Sequence, residues 1–437
     1  MFDLPKYGEG VCLARLAELL DAVSVDRARL QRTSVVVTGS NGKGSTAAFC
    51  AGIGRGYGLR TGLFTSPHLY RVNERFQVDG NPIEDGALKR LVARIEAALA
   101  ELSRRRNETY GAFEALFVLA CLHFQEMQCD FAVFEAGIGG RYDPVRLIGA
   151  RHSCVTSVDY EHTELLGRSL ELIVSDKSDA CAAGGTIVYG ENCRGLRAHI
   201  AEYNRHRDVK SLFVGDEIRI ADQVMSSATQ RFDFQFGKHD FRSLETGLLG
   251  SFQFNNAAIA IALFLLWLEW TRPGVAAAIE AAVRSGLRDT RWPGRLEVTA
   301  EQPLTVIDVG HTPDGTRQSL ASLKAIHGAD GWILVVGLSR DKKADEIVAL
   351  LAPSFDTIVC TRAYHKGADV EQIAAAARNA NPNATLHVAA TIEDAVRVSK
   401  ELSKSLDRGI FVAGGLFLAI EYATAAKGGR AQELEFF

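Results

Sequence analysis

The chemistry-bearing residues of this chain begin with Gly39-Ser40-Asn41-Gly42-Lys43-Gly44-Ser45-Thr46, directly after the apolar run Ser34-Val35-Val36-Val37. A glycine-rich turn between a strand and a helix exposes backbone N–H groups, and the helix N-terminus adds a partial positive charge. Phosphates offer many acceptor oxygens and negative charge, so they fit there. Lys43 would reach the β- and γ-phosphates of a nucleoside triphosphate, and the Ser45 and Thr46 hydroxyls would contact phosphate or Mg²⁺. The spacing is irregular. Against the common GxxxxGK[ST], Val37 takes the place of the first glycine and Gly44 is inserted between Lys43 and Ser45. A plain tight turn is the alternative reading, and it leaves the lysine, the glycines and both hydroxyls unexplained.

Three further residues carry candidate chemistry. Glu135 ends an apolar run and precedes Gly137, Gly139 and Gly140. A carboxylate there suits a hard cation such as Mg²⁺, and a turn cap is the alternative. His162 follows the run Cys154–Val158 inside Glu161-His162-Thr163-Glu164; alone it reads as an ordinary surface or core histidine. Lys177, within Ser175-Asp176-Lys177-Ser178-Asp179-Ala180, reads by itself as a surface lysine.

Strands alternating with helices position these residues. Ser34–Val37, Leu63-Phe64, Phe131–Phe134 and Cys154–Val158 read as buried strands. Helical patterns cover 43–57, 82–106, 113–127, 255–270 and 273–284. The alternation predicts an α/β fold with a mostly parallel sheet covered on both faces. Lys210–Leu244 differs. Its short alternating runs, such as Arg231-Phe232-Asp233-Phe234-Gln235-Phe236, predict a small antiparallel patch. The polar, Gly- and Pro-interrupted stretch 285–294 reads as a boundary. The expected domains are thus 1–290, which binds nucleotide, and 291–437, a Rossmann-like α/β unit with strands at Leu304–Val309, Trp332–Val336, Thr357–Cys360 and Ile410–Val412.

Composition limits the function classes. A net charge of −4 gives no strong pull toward nucleic acid or anionic membrane. The start, Met1–Lys6, lacks a basic region followed by an apolar run, so no signal peptide is expected. The apolar stretch Ala257–Leu268 is too short to span a bilayer and reads as a buried helix. None of the eight cysteines forms a CxxC pair, which points to a reduced, cytoplasmic protein without structural zinc.

Seven segments in chain order resemble one family. The turn itself resembles GxNGKG[ST] of the Mur ligase superfamily. Thr65-Ser66-Pro67-His68-Leu69 with Arg71-Val72-Asn73-Glu74-Arg75 resembles the TSPHL…NER signature of folylpolyglutamate and dihydrofolate synthases. Glu135–Arg141 resembles their ExGxGGR, Glu161–Glu164 their DHTE, and Leu249–Ala257 their LGxHQxxNA. Trp292-Pro293-Gly294-Arg295 matches WPGR, and Asp308–Pro313 resembles DGAHNP. The resemblance implies a ligase that joins a carboxylate to an amine using ATP through an acyl phosphate. The acid would be a pteroate or folate and the amine glutamate, handled by a cytoplasmic monomer with two Mg²⁺. It further implies metal ligation by Ser45, Ser66, Glu135 and His162, with Lys177 carbamylated to hold the second ion. Carbamylation needs a neutral amine, hence a desolvated lysine. ATP would be bound by Gly39, Asn41, Gly42, Lys43, Gly44, Ser45 and Thr46, with Asn256 on the adenine, Arg295 on the γ-phosphate and Asp308 also on the nucleotide. Lys43, His162, Lys177 and Arg295 form the implied catalytic set.

The acceptor side departs from that family. Gly111-Ala112-Phe113-Glu114 stands where TYFE is usual, and Tyr142-Asp143-Pro144-Val145-Arg146 where LDATN is usual. By resemblance Gly111, Ala112, Tyr142, Asp143, Pro144 and Arg146 line the acceptor pocket, and His311 lies on the amino-acid side. An aromatic lost at 112 weakens stacking on a flat bicyclic ring. Arg146 adds a cation able to pair with a further carboxylate. Thr312 lacks the amide donors of the usual Asn. Arg362, Tyr364, His365 and Lys366 form a basic loop able to grip an amino-acid carboxylate; a solvated loop is the alternative. A paralogue acting on a non-folate acid is therefore a second expectation. An ATP-binding protein without catalysis is a third, opposed by the intact nucleotide and metal residues.

Overall fold

The computed structural model describes Leu4 and residues 13–106, 109–227, 229–274, 278–340 and 344–436; Cys12 and the first three residues lie outside this set. Ser34–Thr38 (β1) is buried along its whole length, as its run of valines requires of a central parallel strand. It belongs to a sheet with Thr61–Phe64 (β2), Phe76–Val78 (β3), Asn81–Pro82 (β4), Phe131–Glu135 (β5), His152–Val155 (β6), Thr186–Tyr189 (β7) and Lys210–Phe213 (β8). The order is β4-β3-β2-β5-β1-β6-β7-β8. Only β3 is reversed, so its pairings with β2 and with the edge strand β4 are the antiparallel ones. Because β1 pairs with β5 on one side and β6 on the other, the turns after all three strands open at the same carboxyl end, where open α/β sheets bind ligands.

The antiparallel patch is shorter than the sequence pattern implies. Lys210–Phe213 joins the large parallel sheet, whereas Ile218–Met225 (β9), Gln230–Phe236 (β10) and His239–Glu245 (β11) form the separate three-stranded sheet. Phe232, Phe234 and Phe241 of this patch share a core with the helix Phe252–Thr271. That helix is the one described helix long and apolar enough to cross a membrane, and 78% of its most apolar window is buried inside the fold.

The remaining strands, Glu297–Glu301 (β12), Leu304–Ile307 (β13), Trp332–Val336 (β14), Thr357–Cys360 (β15), Thr385–Val388 (β16) and Gly409–Ala413 (β17), form a second sheet. Its order is β12-β13-β17-β14-β15-β16, parallel except for β12. The expected boundary at 285–294 starts inside a helix. Helix Ile279–Asp289 occupies its first half. Gly286, read as an interruption, lies where a Cβ would come within 2.5 Å of the Ile53 backbone. The glycine permits close crossing of this helix over the nucleotide-turn helix Lys43–Gly56.

Candidate active site

The glycine turn leaves β1 and enters helix Lys43–Gly56 through Gly39 and Gly42, both at positive φ. A side chain at Gly39 would overlap Thr156 Oγ1 in the turn after β6. Thr156 and Ser157 both donate to the Asn41 carbonyl, and Ser157 Oγ accepts from the Asn41 N–H at 2.8 Å. These hydroxyls clamp the turn and were not singled out from sequence, because nothing in their local pattern marks them. The inserted Gly44 also finds its reason here. A Cβ on it would stand 2.8 Å from Trp292 Nε1, so the indole of the Trp-Pro-Gly-Arg segment lies directly on the helix start. Asn256 is packed against Gly42 and donates to Gln253 Oε1 at 3.0 Å, while Gln253 Nε2 lies 3.4 Å from Ser45 Oγ. In this state Asn256 and Gln253 brace the turn.

Lys43 Nζ donates to the Gly39 and Ser40 carbonyls, at 2.7 and 3.1 Å. Its charge is felt by Glu135, Glu161 and Lys177. Glu135, at the end of β5, is 4% exposed and accepts the Ser66 N–H at 3.0 Å. Burial pushes its carboxyl up to about 7 against the pull of Lys43, the Ser66 N–H, Arg295 and Arg75. Lys177 is 1% exposed and ion-paired with Glu161 at 2.7 Å, so it is no surface lysine. Burial lowers its pKa, Lys43 lowers it further, and Glu161 opposes both. Burial disfavours ionisation of Glu161 too, but Lys43 and Lys177 outweigh it and hold that carboxyl at about 2. His162 heads the short helix Thr163–Leu166 with a left-handed backbone and an exposed position.

From the second sheet, Arg295 acts on both Glu135 and Asp308. Asp308 is buried at the end of β13. Its oxygens accept the Gly310 N–H at 2.8 Å and the Leu296 N–H at 3.1 Å, which fixes the backbone beside Arg295. Burial raises the Asp308 carboxyl, and Arg295 opposes this. Thr312 caps helix Pro313–His327 and donates to Asn41 Oδ1 at 3.0 Å, joining the two sheets across the turn. His311, just before it, is exposed.

The acceptor-side residues divide. Tyr142 and Arg146 are exposed; Arg146 donates to the Arg141 carbonyl at 2.8 Å. Asp143 and Pro144 are buried. Asp143 accepts the N–H groups of Gly137, Ile138 and Val145, so it folds the glycine loop, and burial lifts its carboxyl to about 6 despite them. Gly111 caps helix Ala112–Glu126, where Glu114 takes its N–H and an ion pair from buried Arg15. Ala112 is buried. The basic loop after β15 is held by Glu421, which accepts the Tyr364 and His365 N–H groups.

Donors for a cation at the turn are all oxygens: Glu135, Ser45, Ser66 and Thr46, whose Oγ1 is buried with no hydrogen-bond partner. Among the described residues, no three His, Cys, Asp or Glu side chains gather into a metal cluster. That composition fits Mg²⁺, which takes one or two carboxylates and completes its shell with phosphate and water.

Comparison with known proteins agrees with this geometry. Residues 37–264 match the Mur ligase middle domain and 294–415 the Mur ligase, glutamate ligase domain. The folylpolyglutamate synthase of Lacticaseibacillus casei is 31% identical over 345 residues, 79% of each chain. The folylpolyglutamate synthase of Mycobacterium tuberculosis complexed with ADP and AMPPCP superposes with a TM-score of 0.86 at 25% identity, covering 96% of each chain. An FPGS–AMPPCP–folate complex superposes at 0.80 with 29% identity, again over 96% of each. The chain belongs to the Mur ligase family, on the branch of the folylpolyglutamate synthases.

Proposed function

We propose that this chain is an ATP-dependent ligase that adds glutamate to a folate-type acid through an acyl phosphate. A carboxylate oxygen of the acid attacks the γ-phosphorus and ADP leaves. The glutamate amine, having lost a proton, attacks the acyl carbon, forms the C–N bond and expels phosphate. Phosphoryl transfer of this kind is mostly positioning and charge neutralisation. The observation that carries the reading is convergence: Lys43 and Arg295 both act on buried Glu135 at the end of β5, and Lys43 also acts on buried Lys177. Lys43 leaves its two carbonyls to meet the phosphates, and Arg295 approaches from the second sheet. Ser45, Ser66 and Glu135, with His162 as a nitrogen donor from the turn after β6, would hold Mg²⁺, which would neutralise phosphate charge. Burial and Lys43 shift Lys177 toward the neutral amine that carbamylation requires, and its ion pair with Glu161 opposes that shift. On this reading nucleotide binding belongs to residues 1–290 and amino-acid binding to residues 291–437.

Folate is favoured over another acid because part of the acceptor-side divergence is internal. Pro144 and Val145 are buried in the fold, so of the replacements between 142 and 146 only Tyr142 and Arg146 face solvent. The test is phosphate release with ATP, Mg²⁺, glutamate and either dihydropteroate or a reduced folate, with the glutamylated product identified by mass. Glu135→Ala is expected to lower turnover about a hundredfold or more. Turnover with a different acid alone would overturn the folate assignment, and an unimpaired Glu135→Ala the metal assignment.

A further inference from the structure

Segment 434–436, beyond helix Leu416–Ala426, touches both the loop that follows Ser66 and the basic loop after β15. The Glu435 carbonyl lies 2.8 Å from His68 Nε2. Arg75 Nε donates to His68 Nδ1 at 2.9 Å, which leaves Nε2 as the protonated nitrogen that donates to Glu435. His68 is thereby fixed in one tautomer between a backbone carbonyl and a guanidinium. Arg75 is 3% exposed, and its charge acts on Glu135. Next in the chain, the Phe436 ring packs at a tilt against His365 and edge-on against Phe417, with ring centroids 5.1 and 4.8 Å apart. His365 belongs to the basic loop after β15. Leu434 and Phe436 lie on the same apolar core as Leu69 and Tyr70, which follow His68 directly.

We infer that Leu434-Glu435-Phe436 is a strap that sets the Ser66–Arg75 loop and the 362–366 loop in one relative position, making His68 and Phe436 positioning residues for the second, amine-accepting half of the reaction. The inference rests on the ligase reading for its kinetic part. A hydrogen bond joins the strap to one loop and an aromatic cluster joins it to the other, so displacing the strap removes one tether from each loop at once. The nucleotide turn is braced separately, by Thr156, Ser157, Gln253 and Asn256. ATP binding therefore stays with the turn while the glutamate step depends on the strap.

Phe436→Ala and His68→Ala in the full chain test this by steady-state kinetics and amide hydrogen exchange. Each is expected to raise the glutamate KM about fivefold, as loss of one aromatic contact or hydrogen bond implies, with the ATP KM within about twofold of wild type. His68→Gln, whose amide can both donate and accept, is expected to recover most of the loss. Phe436→Ala is further expected to speed exchange of amides in 65–75, although residue 436 contacts the other loop. Unchanged kinetics and unchanged exchange in both alanine variants overturn the strap. Parallel rises of both KM values overturn it as well, since a general loss of structure would give them. Wild-type protein inactive with every acid, yet showing the coupled exchange, overturns the ligase reading and leaves the strap standing.

Discussion

Buried Lys177 and Glu135, with half-buried Lys43 and Glu161, set the electrostatics of the site. Lys43 and Lys177 both act on Glu161, and at the end of β5 burial raises the Glu135 carboxyl against Lys43, Arg295 and Arg75. Lys43 Nζ donates to its own loop carbonyls, Gly39 and Ser40, at 2.7 and 3.1 Å. Elsewhere burial acts without compensation. His152 in β6 is 5% exposed, its Nδ1 has no hydrogen-bond partner, and its ring meets Trp270 edge-on at 5.6 Å. Burial, helped by Arg151, lowers its pKa to about 4. The unfolded chain, titrating near the ordinary histidine value of about 6.5, binds more protons than the folded chain between pH 6.5 and 4. Stability contributed by neutral His152 is therefore complete above pH 6.5 and is lost as pH falls toward 4. His152→Phe, which keeps a ring against Trp270 and removes the titration, is expected to flatten the fall of Tm across that window. Equal Tm slopes in the two proteins would assign the acid sensitivity to other groups.

At the level of elements, the helix that carries Lys43 is held by crossing rather than by its own apolar stripe. Its face toward Ile279–Asp289 is lined by small residues, and Gly286 meets the Ile53 backbone. Gly286→Ala would force the crossing open and is expected to destabilise the fold by about 1–3 kcal/mol in urea unfolding. A variant as stable as wild type would mean that the helices slide at no cost. The same glycine shows what the sequence hides. Strands buried on both faces, such as Val35–Val37 and Trp332–Val336, betray themselves as apolar runs. The edge strands Glu297–Glu301 and Thr385–Val388 are largely polar and half or fully exposed, so no run announces them. Glycine at a close helix crossing and glycine at a linker look alike in a sequence. Of the expected boundary, only 290–294 lies outside helix and strand. In the site, residues within ordered segments were legible, whereas Thr156, Ser157 and Gln253 gain their roles only through contacts with distant turns.

Across the whole molecule, two sheets present their carboxyl ends to one nucleotide turn, and a few contacts set their distance. Trp292 lies on Gly44, Ser251 meets Ser322, and Thr312 reaches Asn41. The last of these is the most informative, because Thr312 is a departure from the family's usual asparagine and yet keeps a polar link to the turn. Its hydroxyl does two jobs, accepting the Gly315 N–H at 3.1 Å and donating to Asn41. Thr312→Val preserves the branched shape and removes both. Loss of the helix cap alone costs about 1 kcal/mol of stability, which Tm records. Loss of the link to Asn41 is expected to appear as a fall of about tenfold in kcat/KM for the acceptor acid, with nucleotide affinity unchanged, because the turn keeps its braces from Thr156 and Ser157. Thr312→Ser restores the hydroxyl and is expected to restore both readings. A valine variant that loses stability but not kcat/KM would show that the two sheets are spaced by Trp292 and the serine pair without help from Thr312.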